Sequence, residues 1–565
     1  MHPMRPFTRS SSRTTRARVS DSGEQSRSTA RLVALCGWLT LVGCQGDGAT
    51  STDDGTTQAT GADASSGSDD GTTAAPDQTG TAGPDLPGTS GDPTAPDPSA
   101  GTDSTGSTGA DESTTGGLTV DPSAGDETTS STTGDDSAST TGDVVGSTGD
   151  DDTGSTGDES TGSTGDDGTT GSCESDDRAV KLKRLIDPLD GSVIAPAIVI
   201  VHEDRVIAVE TDEAKIPCGA EVIDWSAYTG VPGLVDVHTH FVYQTDDEPG
   251  TFPWTRSWWI FKNKPALLEV LAREAAEKVV KLGVTTAIDK GAGPGDKIVA
   301  KLRDQIASGE LVGPRIYTAG YGISGPVPST ETMKGWIKQN VADGADLIKV
   351  WADSCSDDTL ECKPNFTFEQ LKAAVDQAHE LGRPIAIHAY HADTAKLAIM
   401  AGPDSMEHPE GLDAVDFMDM IAMGITYVPT IDHNRYYKEN LAYFGYDPAM
   451  GPKFAAYIAE NLATANQAHL AGVQIAMGSD AVFSGFGENK RELEWFIEAG
   501  MTPLEALRAA TVKGAASIGV EDEVGRVAVG YFADIVAVDG DPLSDITVLL
   551  DEVHGVMKSG EPIMP

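Results

Sequence analysis

Four histidines, one lysine and one aspartate stand at the ends of, or inside, short apolar runs. His238 and His240 close Val235-Asp236-Val237-His238-Thr239-His240, and Lys349 sits within Asp346-Leu347-Ile348-Lys349-Val350-Trp351. His388 follows Ile385-Ala386-Ile387, His408 follows Ser405-Met406-Glu407, and Asp480 follows Ala476-Met477-Gly478-Ser479. Imidazole and carboxylate groups bind divalent metal ions and also carry protons in acid–base chemistry. The period of two along a strand sends the His238 and His240 side chains to one face. His-x-His alone is a weak signal, because such a pair is more often a satisfied buried one. A lysine inside an apolar strand is costly as a bare ammonium and needs a reason to be there. Each residue alone reads as a core or strand-end group; together, on five strands, they define one candidate metal site.

Such a site needs strands that deliver side chains to a common rim. Beyond residue 230 the sequence repeats one phrase: a helical period closing on Gly, a short apolar strand, then polar residues, which implies successive parallel β/α units. Strands are predicted to begin near Val231, Val284, Arg315, Asp346, Pro384, Asp404, Ile425 and Val473. A helix is predicted from Pro265 to Leu282, with Leu267, Leu271, Ala275, Val279 and Leu282 on one face and Gly283 as its stop. Another starts at Thr367, with Gln370 three residues on as a capping box, and stops at Gly382. Eight such units predict an α/β fold, a closed (β/α)8 TIM barrel, with reactive residues at the carboxyl ends of the strands. Short apolar runs at Ile198–Val201, Arg205–Val209, Ala533–Val538 and Val553–Met557 predict a small β-sandwich built from both flanks.

The composition separates this region from two others. Lys and Arg number 40 against 88 Asp and Glu, a net charge of −48, which excludes an electrostatic nucleic-acid binder. Residues 1–44 hold seven Arg against Asp21 and Glu24, followed by an apolar run that starts at Leu32 and ends Leu41-Val42-Gly43-Cys44. The run is too short to span a bilayer but suits an export signal. Its end resembles a bacterial lipobox, which implies lipid on Cys44 and a mature protein anchored to a membrane outside the cytoplasm. Residues 45–172 carry 26 acidic residues, no basic residue and no aromatic one, in near-repeats such as Ser147-Thr148-Gly149-Asp150. That segment cannot bury enough apolar surface to offset its backbone entropy, so it reads as a disordered linker of about 60–70 Å root-mean-square span. The predicted organisation is 1–44 signal region, 45–172 linker, 173–230 first part of the sandwich, 231–522 barrel and 523–565 second part. Four cysteines remain in an exported protein; Cys355 and Cys362 are close enough for a small loop, leaving Cys173 with Cys218 as the second disulfide candidate.

The run Val231-Pro232-Gly233-Leu234-Val235-Asp236-Val237-His238-Thr239-His240, with Gly283-Val284-Thr285-Thr286, Gly313-Pro314-Arg315-Ile316 and Gly530-Tyr531-Phe532-Ala533-Asp534-Ile535-Val536, resembles the amidohydrolase superfamily. The resemblance is strongest to the imidazolonepropionase-like group that includes Xaa-Pro dipeptidases. It implies that carbon dioxide added to Lys349 gives a carbamate that bridges two divalent ions. His238, His240 and Asp480 would complete one site, and His388 and His408 the other. Zinc suits these ligands, although their type does not exclude manganese, iron or cobalt. The resemblance also implies a metal-bridging hydroxide as nucleophile, with Asp480 passing its proton to the leaving amine. The expected reaction is hydrolysis of the C–N bond of a small amide, either a dipeptide such as Xaa-Pro or an N-acyl amino acid. Tyr390, beside His388, is the expected substrate-binding residue. His391 and His433-Asn434-Arg435-Tyr436 read equally well as substrate contacts or loop packing, and Trp254, Trp258 and Trp259 as packing beneath a loop rather than as the wall of a pocket. The alternatives are a hydrolase of a cyclic amide or lactone and a non-catalytic surface-binding lipoprotein. The sequence is compatible with a homo-oligomer and does not define one.

Overall fold

Seven of the predicted strands form where short, almost wholly buried apolar runs are bounded by turn residues. They are Leu234–Thr239, Val284–Asp289, Arg315–Thr318, Ile348–Trp351, Ile385–His388, Ser405–Glu407 and Thr426–Val428. This computed structural model describes residues 173–563 apart from 294–296, 357–358 and 551–552. The predicted signal region with Cys44 and the predicted linker lie outside the described residues. All seven strands pair in parallel, and strands buried on both faces are what helix-covered parallel sheets require.

The eight-stranded barrel expected from the sequence is recorded as two sheets. The first three strands pair in chain order; the other four run Thr426–Val428, Ser405–Glu407, Ile385–His388, Ile348–Trp351. An isolated parallel bridge between Ile323 and Val350 joins them on one side. The predicted strand from Val473 is not a regular strand. Its chain instead bridges Tyr427 at Ile475 and Thr239 at Ala481, both in parallel. Between the two bridges Asp480 takes a left-handed backbone with φ 50°.

Helices fall where capping and periodicity place them. Pro265–Lys281 buries Leu268, Ala272, Ala275, Ala276, Val279 and Val280. The buried stripe thus lies about one position over from the predicted one, leaving Leu267 and Leu271 at its edge. Phe368–Glu380 starts with the Thr367/Gln370 capping box intact. The segment after the first strand is not a plain loop: Pro253–Asn263 is a helix with Pro253 in its first turn.

The flanking strands, expected as a sandwich, pair into one eight-stranded sheet. Two long strands that the sequence patterning did not single out, Asp177–Ile186 and Glu221–Pro232, run parallel at its centre, with a register shift between Leu182 and Arg184. They bind both ends of the region together: Pro232 pairs with Ile535 and Val231 with Val536. The strand from Glu221 therefore crosses the predicted boundary at 230. Gly233 alone separates it from Leu234–Thr239, and a Cβ at Gly233 would collide with the Thr285 side chain. Cys173 is bonded to Cys218, and Cys355 to Cys362.

Candidate active site

The strand Leu234–Thr239 and its next residue place His238 and His240 side by side, both buried. Their outer ring nitrogens are committed: His238 Nδ1 lies 2.7 Å from Glu407 Oε2, and His240 Nδ1 lies 2.8 Å from the Gly291 carbonyl. A carboxylate and a carbonyl only accept, so both Nδ1 atoms carry a proton and the two Nε2 atoms are the ones turned toward Asp480. Those Nε2 atoms approach to 3.3 Å and lie 3.4 and 3.2 Å from Asp480 Oδ1. Burial lowers the His238 pKa to about 3, which keeps the ring neutral. The ligand atoms of His238, His240 and Asp480 all lie within 4.8 Å of one another.

Further groups gather around this trio. His408 Nε2 is 3.7 Å and His433 Nε2 3.5 Å from Asp480 Oδ2. The His388 and His408 ring centroids are 4.8 Å apart. Tyr390 stacks on His408 at 4.9 Å and meets His388 edge-on at 4.7 Å. Lys349, in register with Ala386 two residues before His388, is fully buried, and its Nζ has no hydrogen-bond partner among the described residues. Burial lowers its pKa to about 8. Its charge acts on both His238 and His408. All six predicted ligands thus face one region, with Tyr390 beside them.

Three carboxylates and a second lysine went unassigned in the sequence reading. Glu407 bridges His238 and Lys290, with Lys290 Nζ 3.1 Å from Oε1, and Ser405 Oγ donates to the same oxygen at 2.6 Å. Burial would raise the Glu407 pKa, but Lys290 and His238 outweigh it and hold the carboxyl well below its usual range. Asp353 Oδ1 lies 3.3 Å from His388 Nε2, and its carboxylate accepts the backbone N–H groups of Tyr390 and His391. Asp236 accepts Ser479 Oγ at 2.6 Å and Asn489 Nδ2 at 2.9 Å, which ties the first strand to the loop carrying Asp480. For Glu407 and Lys290 the sequence cue was a charged residue at the end of a buried strand, whereas Asp236 lies inside its strand and Asp353 two residues beyond one.

Other candidates separate. Arg435 is held by Asp432, Glu439 and Glu488, and His391 caps the helix Ala392–Ala401, so both serve structure. Trp258 packs on Tyr243 and Phe261, and Trp259 lies under Arg256. Trp254, with Tyr390, His433 and Asn434, lines a cavity of about 230 Å³ beside His388.

Buried parallel strands that carry histidines and an aspartate to their carboxyl ends define an α/β enzyme with a polar centre at one rim. The sequence pattern of the amidohydrolase family matches residues 229–563, and the chain belongs to that family of hydrolases. It is 27% identical over 425 residues to an ochratoxinase from Aspergillus niger, covering 67% of this chain and 85% of that protein. An imidazolonepropionase from Fusobacterium nucleatum subsp. nucleatum is 23% identical over 382 residues, covering 60% of this chain and 84% of that one. Among solved structures, a Xaa-Pro dipeptidase with methionine bound in its active site matches with a TM-score of 0.61 and 29% identity, covering 69% of this chain and 100% of the other.

Proposed function

We propose that this chain hydrolyses the C–N bond of a small amide, a dipeptide such as Xaa-Pro or an N-acyl amino acid, at a site that holds two divalent metal ions. The observation that carries the reading is the meeting of His238 Nε2, His240 Nε2 and Asp480 Oδ1 at 3.2–3.4 Å. Three electron-pair donors packed this way repel unless a cation lies among them, and nitrogen and oxygen donors of this kind suit zinc. Ions in such a site supply a water-derived nucleophile at neutral pH and polarise a carbonyl. Asp480, against four imidazoles, is the carboxylate placed to accept a proton from water and return it to the leaving amine.

Lys349 supports the two-ion form of this reading. A buried amine whose pKa has fallen to about 8 has an unprotonated fraction near neutral pH far larger than an ordinary lysine has. That form would add carbon dioxide: an N–C bond forms, a proton leaves to solvent, and a carbamate anion able to hold metal ions takes the place of the ammonium. His388 and His408 then serve the second ion. The bridges at Ile475 and Ala481 support reading the seven strands and this segment as a (β/α)8 barrel. The ending Leu41-Val42-Gly43-Cys44 and the two disulfides support an exported lipoprotein anchored through Cys44.

Turnover of Xaa-Pro dipeptides and N-acyl amino acids by the full chain, with and without chelator, tests the proposal. Hydrolysis that stops on chelation and returns with added zinc is expected. Undiminished turnover after complete metal removal, or no turnover of any amide or ester, would defeat it.

A further inference from the structure

The cavity beside His388 differs in chemistry from the metal centre it adjoins. Six aromatic side chains line it: Trp254, Tyr390, Tyr437, Tyr446, Phe454 and Tyr457. They brace one another, with Tyr437 stacked on Phe454 at 5.8 Å and Tyr390 edge-on to Tyr457 at 5.2 Å. Among the described lining residues there is no Asp, Glu, Lys or Arg. Polar side chains also reach it, Ser356, His388, His433 and Asn434 among them, and Asn434 stands apart. It is 5% exposed, and its Nδ2 is buried with no hydrogen-bond partner among the described residues. A buried amide donor is unfavourable until an acceptor reaches it. At about 230 Å³ the space falls below the roughly 300–1,000 Å³ of sites that enclose a drug-sized molecule, so it suits one part of a substrate.

We propose that this cavity selects substrates by an uncharged aromatic group on one side of the scissile amide, with Asn434 donating a hydrogen bond to an acceptor on that group. The assignment rests on the amide-hydrolase reading of the adjoining histidines and narrows its substrate class. Ring faces bind ring edges through their quadrupoles, which favours an aromatic guest over an aliphatic one of equal size. They also attract cations, but an ammonium offers nothing for the Asn434 donor to bond and would face its positive end. A carboxylate in the cavity would meet no cationic side chain among the described lining residues.

The test uses pairs that differ only in ring character: N-benzoyl-proline against N-cyclohexanecarbonyl-proline, and N-acetyl-phenylalanine against N-acetyl-cyclohexylalanine. An aromatic preference of about tenfold in kcat/KM is expected in at least one pair, falling to about twofold in Phe454→Leu. Asn434→Leu is expected to raise KM for an N-(4-methoxybenzoyl) or N-(4-cyanobenzoyl) substrate by about tenfold more than for the unsubstituted benzoyl compound. No aromatic preference in either pair, or faster turnover of a trimethylammonio-benzoyl analogue, would overturn the proposal. If no amide in the panel is hydrolysed, the hydrolase reading fails separately, and binding decides this one. Saturable quenching of tryptophan fluorescence by benzamide, weakened in Phe454→Leu and Asn434→Leu, would support the cavity's role. The same response to cyclohexanecarboxamide, or none to either, would end it.

Discussion

His408 and Asp480 face each other across 3.7 Å, and both have left-handed backbones, at φ 66° and 50°. Thr430, which hydrogen-bonds His408 Nδ1, is also left-handed, at φ 49°. Such conformations cost of order 1–3 kcal/mol each and persist only where the surroundings enforce them. Here backbone bonds do so: the Asp480 N–H donates to the His238 carbonyl at 2.7 Å, and the His408 N–H to the Val428 carbonyl at 2.9 Å. The strain turns both side chains toward one point.

Asparagine tolerates the left-handed region, so Asp480→Asn separates chemistry from folding. The variant is expected to melt close to wild type without metal while kcat drops by about 10²–10⁴-fold, the range for loss of a general acid–base group. Activity within threefold of wild type would remove Asp480 from the proton path.

Lys349→Met exchanges an unpaired buried amine for an apolar side chain of similar length. The metal-free variant is expected to be at least as stable as wild type, because burial of a bare ammonium is relieved. Bound metal is expected to fall from two ions per chain to one or none, and hydrolysis to be lost. Two ions and full turnover in the variant would contradict a bridging role.

Glu407 and Lys290 form a nearly solvent-free pair, with side-chain exposures of 0% and 2%. Glu407→Gln leaves Lys290 buried without its counter-charge, and a loss of about 3–5 kcal/mol in stability is expected. Because Glu407 also orients His238, metal affinity is expected to fall about 10–100-fold. Adding Lys290→Met is expected to restore much of the stability and none of the affinity, as read by chemical denaturation and by metal titration.

Glu492 accepts the N–H groups of Ile431 and Asp432, each at 2.9 Å, yet burial dominates and raises its pKa from 4.5 to about 8. The folded chain holds this proton more tightly than the unfolded one. The contribution to stability is therefore complete below pH 4.5 and is lost as pH rises toward about 8. Whatever the absolute cost of Glu492→Gln, the wild type's stability relative to that variant is expected to decline between pH 5 and 8. A difference that stays flat across this range would show that Glu492 does not titrate there.

The sequence made legible what repeats locally. Apolar runs bounded by glycine marked seven strands, and Thr367 with Gln370 marked a helix start. The ligands stood out because strand ends carry polar side chains in a fixed register. The eighth run, Val473 to Ala481, was legible as an apolar segment, and it meets its neighbours through single bridges at Ile475 and Ala481 rather than a regular ladder. Glu407, Lys290 and Asp353 were invisible as partners because their contacts join elements far apart in the chain. Trp254 read as packing beneath a loop, whereas it lies in the helix Pro253–Asn263 and lines the cavity beside His388.

The pairing of Val231 and Pro232 with Val536 and Ile535, one glycine away from the histidine strand, fuses the two termini of this region to its catalytic heart. Trimming the gene from its 3′ end would unseat the His238 strand before any ligand codon was touched. Directed evolution by gene shuffling must accordingly swap head and tail as one inseparable module.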